Sequence, residues 1–341
     1  MNEVVAYRFC AKKPIGRSSG KSVINSAAYV SRSKLFDDEL GKNYSYKNKS
    51  NDVLFSEILT PEIAPKFSKS RELLWNNVQK HERHKKAQFA RLLELNLPSH
   101  LELDEMKSLL IKFVMNNFVS LGMIADVNIH RPDIDGDKRN YHAHVLLTLR
   151  RVDESGFVGN KAREWNSKKL FGQWRENLAL ECSIALEKSG YFKESERWKH
   201  SHLTLKNQLN KALERCDNEY AEICDHEPTK HKGVHIHQME KKGIVSYVEE
   251  DRKKIRTINT LVKEQLARIE IEFLELLKEK KYLDDDRLRQ RFNHIFPILS
   301  NRNVPISDEL REKINRIINS NEPKKKLSDE RDKERDYERD E

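Results

Sequence analysis

Residues 123–150 read MIADVNIHRPDIDGDKRNYHAHVLLTLR, and their alternation decides the fold. In 123–130, Ala125, Val127 and Ile129 fall on one side, and Asp126, Asn128 and His130 on the other. In 141–150, Ala143, Val145, Leu147 and Leu149 oppose His142, His144 and Thr148. A period of two is that of a strand with one face in a core. The segment between them, RPDIDGDKRN, holds a proline, a glycine and charged turn formers, so the strands form a hairpin rather than a crossover pair. Pairing then brings His130 beside His142 and His144, on the side away from the apolar residues. Three neutral imidazoles suffice to hold a divalent cation and leave other positions open for substrate oxygens. The alternative is a set of surface histidines that only hydrogen-bond, and the matched third histidine across the hairpin weighs against it. A second HxH, His235 and His237, has no third ligand in a matching strand and is read as an ordinary pair.

Outward from the hairpin, residues 103–118 are the clearest helix. Met106, Leu109, Leu110, Phe113, Val114 and Phe118 keep the three–four spacing of one buried face. Residues 3–11, 51–60 and 87–97 read as strands, and 21–34 and 69–86 as helices, with Leu73, Leu74, Trp75 and Val78 on one side of the latter. Asn166 or Ser167 can cap a helix running to Ser189, which Gly190 stops. The expected fold class is α+β, an antiparallel sheet with helices on one face, followed by a helical C-terminal region. Three regions are expected: a main domain over 1–250, a helical appendage over 251–320, and a disordered charged tail over 321–341. In the appendage, Ile255, Ile258, Val262, Leu266, Ile269 and Phe273 form an apolar stripe on a long charged helix, and 307–319 reads as a further helix.

On the 21–34 helix, Val23, Ala27 and Val30 share one side with Ile24 and Ala28 next to them, whereas Tyr29 lies with Ser22, Ser26 and Ser33 on the other. A tyrosine used for packing would sit among the valines. This one is either an exposed amphipathic residue or a nucleophile with small neighbours that leave room for substrate. A phenol with its free pKa of about 10 attacks poorly, unless a metal makes its target phosphate more electrophilic.

Composition limits the partner class. The 341 residues carry a net charge of +9 with a pI near 9.1, which favours a polyanion such as nucleic acid. Residues 1–50 hold ten Lys/Arg against four Asp/Glu, while 101–150 hold six against seven. A basic N-terminal element thus adjoins a near-neutral centre. No run of 18 apolar residues and no secretory signal is read, so neither membrane insertion nor export is expected. Cys10, Cys182, Cys216 and Cys224 form no CxxC pair, as expected of free thiols in the cytoplasm.

Four stretches, in order, resemble the MobA/MobL-type mobilisation relaxases, the MobQ class of HUH endonucleases. They are RSSGKSVINSAAYVSRSKLFDDELGKNY, QFARLLELNLP, the 123–150 hairpin, and HEPTKHKGVHIHQMEKKG. The resemblance implies an HUH-type antiparallel sheet with helices, a bacterial cytoplasmic setting, and single-stranded DNA at an origin of transfer as substrate. It further implies Tyr29 as nucleophile and His130, His142 and His144 as metal ligands, with Glu94 as the acid of the strand before the LP stop. One feature departs from the family pattern: eleven residues separate His130 from His142, where about seven are expected. The extra length falls in the hairpin loop, where insertion is cheap. Glu94 shares a strand face with Ala90, Leu92 and Asn96 and could accept a hydrogen bond from a ligand imidazole; Asp126 competes for that role.

The resulting expectation is a nickase. Arg17, Lys21 and Arg32 grip the strand backbone, Mn²⁺ or Mg²⁺ on the three histidines polarises the phosphate, and Tyr29 takes the 5′ end. Accessory mobilisation proteins and a coupling protein with its secretion system are the expected partners. A rolling-circle replication initiator is the first alternative, but its tyrosine follows the histidines, whereas Tyr29 precedes them. A non-catalytic basic single-stranded DNA-binding protein is the second. A zinc hydrolase with an HEXXH base finds no such motif.

Overall fold

The computed structural model describes residues 7–133, 136–228, 236, 239–240, 242–244 and 246–278. The chain divides into two compact units, 1–204 and 205–341.

The first unit is built on β1 (Phe9–Ala11), β2 (Ile15–Gly16), β5 (Val53–Leu59), β6 (Gln88–Asn96), β7 (Ala125–His130) and β8 (His142–Thr148). These form one six-stranded antiparallel sheet in the order β1-β6-β8-β7-β5, with β2 also on β6. The hairpin pairs as its alternation requires, with His130 opposite His142, Asn128 opposite His144 and Val127 opposite Val145. Two short ribbons lie outside the sheet: β3 (Lys34–Asp37) with β4 (Lys42–Ser45), and β9 (Arg151–Asp153) with β10 (Gly156–Val158). Their strands are only three or four residues long, too short for alternation to mark them in the sequence.

The apolar side of the sheet meets α3 (Leu103–Asn117), α4 (Lys168–Lys188) and α5 (Phe192–Lys199). Leu93, Leu95, Val127, Ile129, Ala143 and Val145 pack there against Leu110, Phe113, Trp174, Leu178 and Trp198. Two of these helices begin where a side chain satisfies a first-turn N–H group. Ser167 accepts from Leu170 N–H at α4, and Glu102 and Glu105 form a reciprocal capping box at α3.

Helices cover the other face too, contrary to the one-sided arrangement expected. There α1 (Val23–Ser31) and α2 (Arg71–His81) bury Val23, Ile24, Ala27, Leu74, Trp75 and Val78 against Ala90 and Leu146. Leu73, expected on the buried side of α2, is exposed. The histidine face is polar only in part, and its apolar positions at Ala90, Leu92 and Leu146 are what the two helices need. Gly16 admits the approach of the basic N-terminal segment, since a Cβ there would lie 2.7 Å from the Ala87 carbonyl oxygen.

A polar clamp ties α2 to the sheet. Fully buried Asp126 accepts two hydrogen bonds from Arg71, at 2.8 and 2.9 Å, and one from Trp75 Nε1 at 3.0 Å. Asn128 donates to the same carboxylate at 2.9 Å. Removing one partner of a buried ion pair leaves the other charge uncompensated. Arg71→Ala is therefore expected to lower unfolding stability by about 3 kcal/mol, read as a drop in the urea midpoint.

In the second unit, α6 (Leu205–Glu214) and α7 (Asn218–Cys224) pack together through Leu209, Ala212, Tyr220 and Cys224. Tyr220 Oη donates to Gln208 at 2.6 Å. The long helix α8 (Tyr247–Lys278) follows, with Ile258, Leu261 and Ile271 exposed. Among the described residues no helix is long and apolar enough to cross a membrane. His235, His237, the helix expected over 307–319 and the tail from 321 lie outside the described residues.

Candidate active site

Three strands bring the polar residues together. β8 carries His142 and His144 two residues apart on one face, β7 sets His130 opposite His142, and β6 sets Glu94 opposite His144 and Asn96 opposite His142. The three rings lie 4.6 Å (His130–His144), 5.1 Å (His142–His144) and 5.4 Å (His130–His142) apart, centroid to centroid. One ligand nitrogen from each lies within 4.8 Å of the others, spacing that could hold a metal ion.

The protons on these rings can be placed from their partners. A carbonyl only accepts, so His130 Nε2–H donates to the Val30 carbonyl at 2.6 Å, leaving Nδ1 with its lone pair. Likewise His142 Nδ1–H donates to the Asn140 carbonyl at 2.9 Å, leaving Nε2 bare. Backbone carbonyls thus orient both rings, the arrangement that fixes the tautomer of a ligating imidazole. His144 Nδ1 is buried and makes no hydrogen bond among the described residues. Burial pushes His130 down to about 4, with His142 and Arg32 acting in the same sense against the Val30 hydrogen bond and Asp52. Burial, then His130 and His142, then Arg32 and Lys12 push His144 down to about 2. Both rings are therefore neutral at physiological pH, and no proton competes with a cation for them. A buried, unsatisfied ring nitrogen on His144 beside two imidazoles oriented by backbone carbonyls fits a divalent metal better than it fits a set of surface histidines.

Helix α1 docks on this cluster through its C-terminal turn. Ser22 caps its start, accepting from Asn25 N–H, and also donates to the buried Asp37 at 2.6 Å. At the other end the Val30 carbonyl is the acceptor for His130. Tyr29, the preceding residue, lies on the side of α1 away from the core and is 44% exposed. Its ring meets Tyr46 edge-on at 5.4 Å, and the Arg32 guanidinium lies over it at 4.3 Å.

The remaining residues singled out in the sequence are placed as follows. Glu94 lies on the histidine face, but its carboxylate accepts from Arg8 at 2.7 Å and pairs with Lys12 at 3.0 Å. Asp126 is committed to Arg71, Trp75 and Asn128. Among the described residues neither carboxylate hydrogen-bonds an imidazole, and the orienting role expected of them falls to the Val30 and Asn140 carbonyls. Arg17 is engaged within the protein, paired with Glu39, donating to the Glu82 carbonyl at 3.2 Å and lying over Phe89. Arg32 is buried, with its side chain 8% exposed. Lys21 is exposed at the start of α1. Of the three basic residues expected on the DNA backbone, Lys21 alone is placed as a free surface cation would be.

Arg8, Lys12, Tyr46 and Asp52 flank the cluster and were not legible in the sequence. A signal existed for the first two, because alternation along β1 puts Arg8, Cys10 and Lys12 on one face, and Cys10 pairs with Glu94. That face becomes informative only once β1 is known to lie beside β6.

The mobilization protein MobL of Acidithiobacillus ferridurans is 29% identical over 181 residues, covering 47% of this chain and 47% of that protein. A probable mobilization protein MobA of Bifidobacterium longum is 26% identical over 307 residues, covering 81% of this chain and 52% of that protein. The chain thus spans about half the length of these curated relatives. A solved structure described as the molecular basis of vancomycin resistance transfer in Staphylococcus aureus superposes with a TM-score of 0.50 at 32% identity, over 55% of this chain and 95% of that one. The model of the MobA/MobL family matches residues 21–242, the stretch that holds Tyr29 and all three clustered histidines, and the chain belongs to that family.

Proposed function

We propose that the protein is a DNA relaxase, nicking one strand at an origin of transfer and remaining attached to the 5′ end through Tyr29. The observation that carries this is the hydrogen bond from His130 to the Val30 carbonyl. It joins a three-imidazole cluster to the helical turn that bears an exposed tyrosine. Membership of the MobA/MobL family and the names of its mobilisation relatives support the same reading.

His130, His142 and His144 would hold the metal, Mn²⁺ or Mg²⁺. When bound, it would polarise the scissile phosphate and offset its developing charge. The chain's own residues do the rest. Tyr29 Oη forms the bond to phosphorus, and the P–O3′ bond breaks with its electron pair leaving on the 3′ oxygen. The phenol proton passes to solvent, and the 3′ oxygen takes one up. Bond energy is conserved in the phosphotyrosine, so the strand can be rejoined. Lys12, whose charge is felt at His144, makes the surroundings more cationic and favours an approaching phosphate. The substrate in this reading is single-stranded DNA, and accessory mobilisation proteins with a coupling protein and secretion system are its partners in the bacterial cytoplasm.

The direct test incubates the protein and Mn²⁺ with labelled single-stranded oligonucleotides tiling the DNA that flanks its coding sequence. Label that stays on the protein through denaturation is the expected result. Binding without any covalent label would instead favour a non-catalytic single-stranded DNA-binding protein.

Every residue of the candidate site lies within the first unit, and the family match ends at 242. A chain ending at residue 250 is therefore expected to cleave a short oligonucleotide at close to the full-length rate. A folded, soluble truncation that fails to cleave would place part of the machinery in the C-terminal region.

A further inference from the structure

We propose that Arg32 is a positioning residue for Tyr29, holding the phenol ring by its face and favouring negative charge on its oxygen during attack. This rests on the reading of Tyr29 as the nucleophile. Three independent observations point to it.

The first is backbone strain. Arg32 closes α1 with φ 50° and ψ 35°, the left-handed conformation that glycine adopts most cheaply. Among the described residues only Arg32 and Cys216 are non-glycine residues at positive φ. A helix stop alone would be better served by glycine, so a large side chain kept there suggests that the side chain is needed.

The second is the environment of the guanidinium. The Arg32 side chain is 8% exposed, yet its guanidinium lies 4.3 Å from the centre of the ring of Tyr29, a residue that is 44% exposed. Nη1 donates to the Tyr29 carbonyl at 3.0 Å, and Nε stands 3.7 Å from Asp52 Oδ2 without a hydrogen bond. A desolvated cation over an aromatic face interacts more strongly than an exposed one. It also stabilises a phenolate more than a phenol, which lowers the barrier to attack. A cation this enclosed is poorly placed to track a DNA backbone, the role the sequence suggested.

The third is the opposing contact. Tyr46 meets Tyr29 at an interplanar angle of 88°, and its own hydroxyl donates to Asn25 Oδ1 at 2.8 Å. Tyr46 is thereby tied to the helix that carries the nucleophile. Tyr29 is held by a cation on its face and by a second ring, although it has no core around it. Fixing a reactive side chain in advance removes an entropic cost from the attack.

The test compares full-length wild type, Tyr29→Phe, Arg32→Gly and Arg32→Lys, using the cleaved oligonucleotide identified above. Adduct formation is followed in a single turnover at saturating DNA, together with DNA affinity and melting temperature. Arg32→Gly is expected to melt no lower than wild type and to bind DNA equally well. Its adduct rate should fall on the order of 100-fold and recover in part with low-millimolar guanidinium. Arg32→Lys, which keeps the charge without the planar stack, should lie between the two. If the glycine variant does not fold, Arg32→Asn takes its place, since asparagine also tolerates this conformation. A wild-type rate in Arg32→Gly, a rate loss matched by an equal loss of affinity, or a loss that neither guanidinium nor lysine relieves would each overturn the proposal. An adduct persisting in Tyr29→Phe would instead overturn the underlying assignment of the nucleophile.

Discussion

Replacing Tyr29 by phenylalanine is expected to abolish the covalent protein–DNA adduct while single-stranded DNA binding survives. The substitution removes one oxygen and keeps the ring, so the contacts with Tyr46 and Arg32 are preserved. The remaining ring has no nucleophile, and removal of a nucleophile costs on the order of 10⁶-fold in rate. Affinity should change by no more than about threefold, because one exposed hydroxyl contributes only about 0.5 kcal/mol net. The measurement is a denaturing gel of labelled DNA with the variant, beside a binding titration of the same oligonucleotide. An undiminished adduct would move the nucleophile to another tyrosine. Tyr46 is the first to examine, being in contact with Tyr29, whereas Tyr7 donates to the Arg175 carbonyl at 2.7 Å away from the cluster's ligands.

The second large effect concerns the histidines. His142→Ala or His144→Ala removes one of three imidazoles and is expected to weaken Mn²⁺ binding by on the order of 100-fold or more, with metal-dependent cleavage lost alongside. His144 is next to both other rings and lies opposite Glu94. An all-imidazole set suits Mn²⁺ better than Mg²⁺, which prefers oxygen ligands. Calorimetry on the wild type should therefore rank Mn²⁺ above Mg²⁺. His235→Ala is expected to leave binding unchanged. Equal metal affinity in the wild type and both strand variants would reduce the triad to a structural feature and remove the chemical centre of the proposed function.

Much of this site is a matter of strand period, which is why it was legible in a single sequence. Side chains two apart in a strand share a face, so His142 and His144 had to lie together, and a hairpin loop between apolar-matched strands had to bring His130 across. The extra length of that loop left the pairing of His130 with His142 undisturbed. The helical spacing of Met106, Leu110, Phe113 and Val114 determined that α3 would cover the apolar side, and the same kind of reasoning put Tyr29 on the side of α1 away from its valines.

What tertiary structure alone decided are the partners made at long range. Local alternation cannot say which helix roofs a half-polar sheet face, and α1 and α2 do so because Ala90 and Leu146 leave apolar ground between the polar residues. Nor can it tell two carboxylates apart. Asp126 became the anchor of α2 because Arg71 and Trp75 approach from 55 and 51 residues away, and Glu94 became the partner of Arg8 because β1 joins the sheet at the edge of β6. Arg32 and Arg17 read alike as basic residues of an N-terminal segment. Folding buried the first over Tyr29 and tied the second to Glu39. Charge is a property of the residue and is written in the sequence, but whether it faces water, a carboxylate or an aromatic ring depends on which distant segments pack around it.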